Sequence, residues 1–161
     1  MTRCVVGIDP GGKTTGIVAR RGDKLLGHWL VENVGGVPYR GRVIERLSLV
    51  VVTTPDPDPL PLVLVAVEGV KAPNPHLGVT NPTGIIATAR VLGWVEQWCA
   101  DVLVDLVVVP PAYHGSGPLA AYPPELVGPR EKAGTGKLRH CRSAWSISYA
   151  GEKLWRLRGA S

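Results

Sequence analysis

The stretch GIDPGGKTTG, residues 7–16, admits two incompatible readings, and the choice between them decides the fold. Gly7 to Thr14 satisfy the phosphate-loop pattern GxxxxGK[ST]. In such a loop, backbone N–H groups cradle phosphates, and the Lys and Thr must open a helix. The next residues are TGIVARRGDK (15–24), with β-branched side chains, Gly16 near the start and a turn by Gly22. That leaves about eight residues, too few for a stable crossover helix. No clear apolar strand ending in Asp supplies a second magnesium ligand either. In the second reading RCVVGI (3–8) is a short buried strand that ends on Asp9, and the Pro-Gly-Gly turn hands the chain into an adjacent strand, TTGIVARR (14–21). This reading accounts for the residues better. A nucleotide-binding protein using residues 7–14 remains the weaker alternative.

Outward from this turn, LLGHWLVEN (25–33) makes a third strand and completes an antiparallel meander. VPYRGRVIERLSLVVV (37–52) carries Val43, Ile44, Leu47 and Val51 at helical spacing, and the proline run at 55–61 ends it. LVLVAVEGV (62–70) is a continuous apolar strand of the kind covered on both faces. Asn81-Pro82 caps a helix that runs to about Trp98, with Ile85, Ala89, Leu92 and Val95 inward. DLVVVPP (105–111) is another buried strand. Residues 111–136 are rich in Pro and Gly without periodicity and read as a long surface loop. Helical spacing returns from Leu138 to Arg158, with Ala144, Ile147, Gly151 and Leu154 on one stripe. The order β-β-β-α-β-α-β-loop-α predicts an α/β fold: a mixed sheet of three antiparallel meander strands plus parallel strands, flanked by helices. At 161 residues it should form one domain spanning 1–161.

Charge is distributed unevenly along this order. The net charge is +5, but residues 1–129 carry −1 and residues 130–161 carry +6. A neutral body with a basic C-terminal face suggests an anionic partner, nucleic acid ahead of a membrane surface. The plainer reading is a solvated charge run. Three cysteines without paired spacing (Cys4, Cys99, Cys141) encode neither a disulfide scaffold nor a thiolate zinc site, and fit a reducing cytosol. No apolar run approaches the roughly 18–20 residues of a membrane helix, and MTRCVVGIDP lacks a signal-peptide core. A soluble cytoplasmic protein is expected.

Asp9 and Glu68 each stand at the end of a hydrophobic strand, where an anion is costly without a cation or hydrogen bonds. Singly, each reads as a strand-end carboxylate facing solvent or capping a turn. Together they invite a divalent cation with hard oxygen ligands. His140 and Ser143, three apart on the last helix, share one face, and Ala144 lets that helix approach the sheet closely. Lys137, Arg139 and Arg142 surround His140, while Lys13 and Lys71 lie in loops beside the two carboxylates. These five basic residues are candidate phosphate contacts. Tyr113, His114 and Tyr122 in the long loop are candidates for touching unstacked bases, with an unordered connector as the alternative. Trp94 and Trp98 are candidates for a dimer seam or for core.

GIDPGGKTTG with Asp9, VAVEGV with Glu68, and RHCRSAW with His140 and Ser143 resemble the motifs of RuvC-type Holliday-junction resolvases, within the RNase H-like nuclease superfamily. The resemblance extends to the KAPNPH loop (71–76) and the NPTGIIATAR helix (81–90), and bacteriophages also encode such proteins. It implies an RNase H-like fold with a five-stranded mixed sheet. It also implies a homodimeric, Mg²⁺- or Mn²⁺-dependent endodeoxyribonuclease that cuts four-way or otherwise branched DNA during recombination and repair. The setting would be the cytoplasm of the cell or of a phage host. By the same resemblance, Asp9 would bridge two ions and Glu68 would bind one. His140 falls where the family uses Asp or His, and would be a further metal ligand. Ser143 falls where the family has an acidic ligand, so a catalytically weakened branched-DNA-binding protein is the competing expectation.

Overall fold

The computed structural model describes residues 3–53, 63–71, 82–112 and 114–159. The Asn81 cap, the KAPNPH loop beyond Lys71 and Tyr113 lie outside the described residues. Five strands form one sheet: β1 (Cys4–Asp9), β2 (Thr14–Arg21), β3 (Lys24–Glu32), β4 (Val63–Glu68) and β5 (Asp105–Val109). Their order is β3-β2-β1-β4-β5. The β1–β2 and β2–β3 pairs are antiparallel, whereas β4 is parallel to both β1 and β5. Three α-helices flank the sheet: α1 (Tyr39–Thr53), α2 (Pro82–Val102) and α3 (Arg139–Gly159). This is the mixed, helix-flanked α/β sheet expected. Lys13-Thr14 leads into β2, so the helix N-terminus that a phosphate loop needs is missing there.

The period-2 alternation of strands divides the core. Val6 and Ile8 of β1 and Val65 and Val67 of β4 face α1 and α2, in a cluster with Val43, Leu47, Val91 and Val95. Val5, Leu64 and Ala66 face the other way, against Ile147 of α3. By the same alternation Gly7 and Asp9, and likewise Glu68, project on the α3 face. Ile8 pairs with Val67 in the parallel register, so the next residue of each strand, Asp9 and Glu68, lies beside the other.

Helix α3 rests almost on the backbone of that face. A Cβ on Gly7 would lie 2.0 Å from the Ala144 carbonyl oxygen, one on Gly16 2.3 Å from that of His140, and one on Gly151 2.3 Å from the Ala66 Cβ. The predicted stripe of Ala144, Ile147 and Gly151 is fully buried, and Leu154 packs at its edge. Beside it, buried Arg20 of β2 donates to Ser148 Oγ at 2.6 Å and pairs with Glu152 at 2.6 Å. Its guanidinium also stacks on Tyr149, 3.6 Å from the ring centre. Glu152 is thus committed to Arg20, further along the α3 face.

Three details differ from the sequence reading. In α2 the buried residues are Val91, Val95, Trp98 and Cys99, while Ala89 is exposed. Apolar residues lie on more than one face of this helix, so spacing could not choose between them. Trp98 donates to Ser48 Oγ at 3.2 Å, and Trp94 stacks edge-on against Tyr39 at 6.0 Å. Both belong to the packing against α1. Strand β5 is an edge strand with Val108 exposed, because only β4 pairs with it. Finally, the 111–136 segment contains two single-turn 3-10 helices, Leu119–Ala121 and Pro124–Leu126, and buries Leu126 completely.

Gly16→Ala should lower stability by about 1–3 kcal/mol through overpacking, read as a lower urea midpoint at unchanged m-value. Gly93→Ala provides the contrast, since nothing lies within 4 Å of its added Cβ on an exposed helix face. It should stabilise by roughly 0.5–1 kcal/mol.

Candidate functional site

Asp9 ends β1, and the turn after it is tied down at several points. Tyr39, the first residue of α1, donates its hydroxyl proton to the Gly11 carbonyl at 2.8 Å and lies 2.7 Å from the Thr15 hydroxyl. Asn33 holds the far side, its side-chain amide donating to Gly12 O at 3.0 Å and its backbone N–H to Lys13 O at 2.8 Å. Burial pushes the Tyr39 phenol above its ordinary value, so it serves as a neutral hydrogen-bonding post. In the sequence Tyr39 is only one residue of the 37–52 helical segment. Nothing local marks its hydroxyl for this role.

Opposite Asp9, α3 delivers His140. The His140 Nδ1 lies 2.8 Å from Asp9 Oδ2, and its Nε2 lies 3.2 Å from the Arg139 guanidinium. Arginine can only donate, so Nε2 accepts and the ring proton sits on Nδ1, donated to Asp9. Both nitrogens are therefore engaged, and His140 would reach a metal ion only by releasing one partner. Ser143, one turn on, is buried beneath the loop: a Cβ on Gly115 would lie 2.6 Å from the Ser143 backbone nitrogen.

Glu68 receives the Ala112 N–H on Oε1 at 3.2 Å, and the same oxygen lies 3.8 Å from His114 Nε2. Burial pushes its carboxyl above the ordinary carboxylate range. The Ala112 N–H pulls it back, the Asp9 charge raises it again and His114 lowers it. His114 thus faces the carboxylates instead of lying free for unstacked bases. Tyr122 is likewise absorbed in the loop, its hydroxyl accepting the Gly117 N–H at 3.1 Å.

The basic residues separate into two groups. Lys13, Lys71 and Lys137 are exposed in loops, and Arg139 is exposed at the start of α3. Arg142 is not available as a phosphate contact, because it is fully buried. Its guanidinium pairs with Glu131, donates to the carbonyls of Leu126 at 3.0 Å and Lys132 at 3.3 Å, and also donates to Thr135 O. Glu131 in turn accepts the Leu138 N–H at 2.8 Å. Burial alone would raise the Glu131 carboxyl, but the Leu138 N–H and Arg142 outweigh it and hold it below the ordinary range. The sequence placed Arg142 among surface cations because Glu131, eleven residues away, gave no sign of folding back onto it.

Among the described residues, no group of three or more His, Cys, Asp or Glu is arranged to hold a metal ion. Asp9 and Glu68 nonetheless fit a hard divalent cation. They are neighbouring carboxylates, mostly buried, and the Asp9 charge makes that of Glu68 costlier. Magnesium is commonly held by one or two carboxylates, with water and substrate phosphate completing its shell.

No protein-family model matches the chain, and no curated protein matches it. Among solved structures it is similar to Thermus thermophilus RuvC in complex with a Holliday junction substrate. The TM-score is 0.63 at 18% identity, over 96% of each chain. A second T. thermophilus RuvC structure gives a TM-score of 0.59 at 18% identity, again over 96% of each chain. The chain therefore has the RuvC-type, RNase H-like fold. No helix among the described residues is long and apolar enough to cross a membrane.

Removing one partner of a buried ion pair typically costs about 3–5 kcal/mol. Arg142→Ala should lose stability on that scale in urea denaturation. Because the Glu131 carboxyl is depressed in the folded state, its contribution is present above the ordinary carboxylate range and lost as pH falls through the folded value. Wild type should therefore lose more stability on acidification than Glu131→Gln. Glu68 has the opposite sign: its raised folded value means that ionisation destabilises the native state. Glu68→Gln should raise the melting temperature at neutral pH, with the gain vanishing below about pH 4.

Proposed function

We propose that this chain, which carries the RuvC-type fold, is a divalent-metal-dependent endonuclease that cuts four-way and otherwise branched DNA. One observation carries the reading. The parallel register of β1 and β4 sets Asp9 and Glu68 side by side on the sheet face that α3 covers, and α3 brings His140 within 2.8 Å of Asp9. Two strand-end carboxylates in the core have no packing value, and their proximity raises the cost of charging Glu68. An arrangement that costs stability without contributing to the core suits a site kept for chemistry.

Asp9 and Glu68 would hold the ion. A Mg²⁺ or Mn²⁺ bound there would polarise the scissile phosphate and lower the pKa of an attacking water. The remaining work belongs to the chain. His140, with its proton on Nδ1, fixes the orientation of Asp9. Tyr39 and Thr15 hold the turn after Asp9, so the carboxylate cannot drift with its loop. Lys13, Lys71, Lys137 and Arg139 are exposed on three separate segments near Asp9, Glu68 and His140 in sequence, and would take phosphates of a DNA strand. Such contacts give affinity and register without reading sequence. Cleavage at two symmetric positions of a junction would require a second copy of the chain.

A second reading rests on Ser143. Buried under Gly115 and uncharged, it leaves α3 contributing no carboxylate to the site. The result would be a protein that binds branched DNA but cleaves it feebly.

Synthetic four-way junctions with Mg²⁺ or Mn²⁺ distinguish the two. Metal-dependent nicking is expected, falling at least about 100-fold in Asp9→Asn and Glu68→Gln, a loss of roughly 3 kcal/mol of transition-state stabilisation. Junction affinity should survive both substitutions and fall steeply with added salt. Nicking that persists in both variants would place the active site elsewhere. Binding without cutting in either metal would select the second reading.

A further inference from the structure

Each carboxylate of the site faces one imidazole, but the two imidazoles come from different parts of the chain. His140 of α3 is bonded to Asp9, with both ring nitrogens engaged. His114, from the loop after β5, is directed at Glu68, and its Nε2 is buried without a hydrogen-bond partner. A buried polar atom left unbonded is costly, and native structures contain few. The acceptor that it faces is Glu68 Oε1 at 3.8 Å, the oxygen that also takes the Ala112 N–H. Hydrogen bonds in active sites are often long before substrate binds and tighten afterwards.

The backbone around His114 supports this placement. Gly115 adopts φ +77°, a left-handed conformation that favours glycine. Its missing Cβ lets the loop lie directly on Ser143, where that atom would come 2.6 Å from the backbone nitrogen. The short side chain at 143 and the absent one at 115 together allow the loop to reach the carboxylates. Further along, the Arg142–Glu131 pair ties the same loop to α3.

We infer that the loop completes this site where α3 does not: His114 is a positioning residue that, with the Ala112 N–H, fixes the Glu68 carboxylate. The contact stands on geometry alone, whereas its consequence for metal binding rests on the proposed function. With Oε1 held from the loop, Oε2 is the oxygen left to meet a cation. Removing a partner that orients a ligand in this way typically costs about 10-fold or more in metal affinity.

Three proteins test the inference: wild type, His114→Ala and His114→Gln. Glutamine retains an N–H donor close to the position of Nε2. Carboxyl ¹³C spectra without metal should show the Glu68 resonance displaced in His114→Ala and restored towards wild type in His114→Gln. Calorimetric Mn²⁺ affinity should fall about 10-fold in His114→Ala and recover in His114→Gln. Metal-free affinity for a four-way junction and the melting temperature should hardly change. An unmoved Glu68 resonance, or a glutamine variant no better than alanine, would overturn the pairing. If wild type bound no Mn²⁺ and cut no junction, the proposed function would fall, and the Glu68 resonance would still decide the role of His114.

Discussion

Helix α3 lies closer to the sheet than any side chain larger than hydrogen permits at three of its crossings. Gly7 and Gly16 meet the carbonyls of Ala144 and His140, and Gly151 meets Ala66. Close-packed interiors transmit small displacements, so this separation sets the geometry of everything that α3 carries. His140 reaches Asp9 because its own carbonyl sits over Gly16, on the strand paired with β1. The Arg20–Glu152 pair and the stacked Tyr149 hold the helix further along the same face. The approach thus has two causes: glycines that allow it, and a satisfied buried cation that fixes its lateral position.

The same helix organises the long loop. Arg142 reaches away from the site into the loop, where its terminal nitrogens meet Glu131 and three backbone carbonyls. A buried guanidinium with an unmatched charge would be very costly, so the loop must close around it for the chain to fold. Loop residues without regular structure thereby acquire a defined path, and Gly115 and His114 come to rest over Ser143 and beside Glu68. A part of the basic C-terminal charge that suggested an anionic partner is consumed in this internal work. Arg142 is cancelled by Glu131. Of the five candidate phosphate contacts, Lys13, Lys71, Lys137 and Arg139 remain exposed.

Electrostatics in the site and in the clasp have opposite signs. Glu131 is lowered by the groups around it and stabilises the fold, while Glu68 is raised and works against it. Residues selected for packing tend to resemble the first case. Catalytic and ligand-binding groups tend to resemble the second, because their compensation arrives with the ligand. The distinction separates two carboxylates that composition alone treats alike.

The sequence by itself determined the strand and helix order, the antiparallel meander, the position of Asp9 and Glu68 at strand ends, and the α3 stripe. All of these rest on local periodicity and turn chemistry, which neighbouring residues encode. It also carried, through three short motifs, a resemblance to the fold that the structural comparisons show. Tertiary structure alone decided which face of α2 is buried, because apolar residues lie on more than one face of that helix. It alone withdrew Arg142 from the surface, since the partner Glu131 folds back through a loop without periodicity. It alone joined Tyr39 to Gly11 and His114 to Glu68, pairs 28 and 46 residues apart that no spacing rule connects. Local patterns specify elements, whereas the pairing of buried polar groups depends on which distant residues the packed backbone brings within about 3–4 Å.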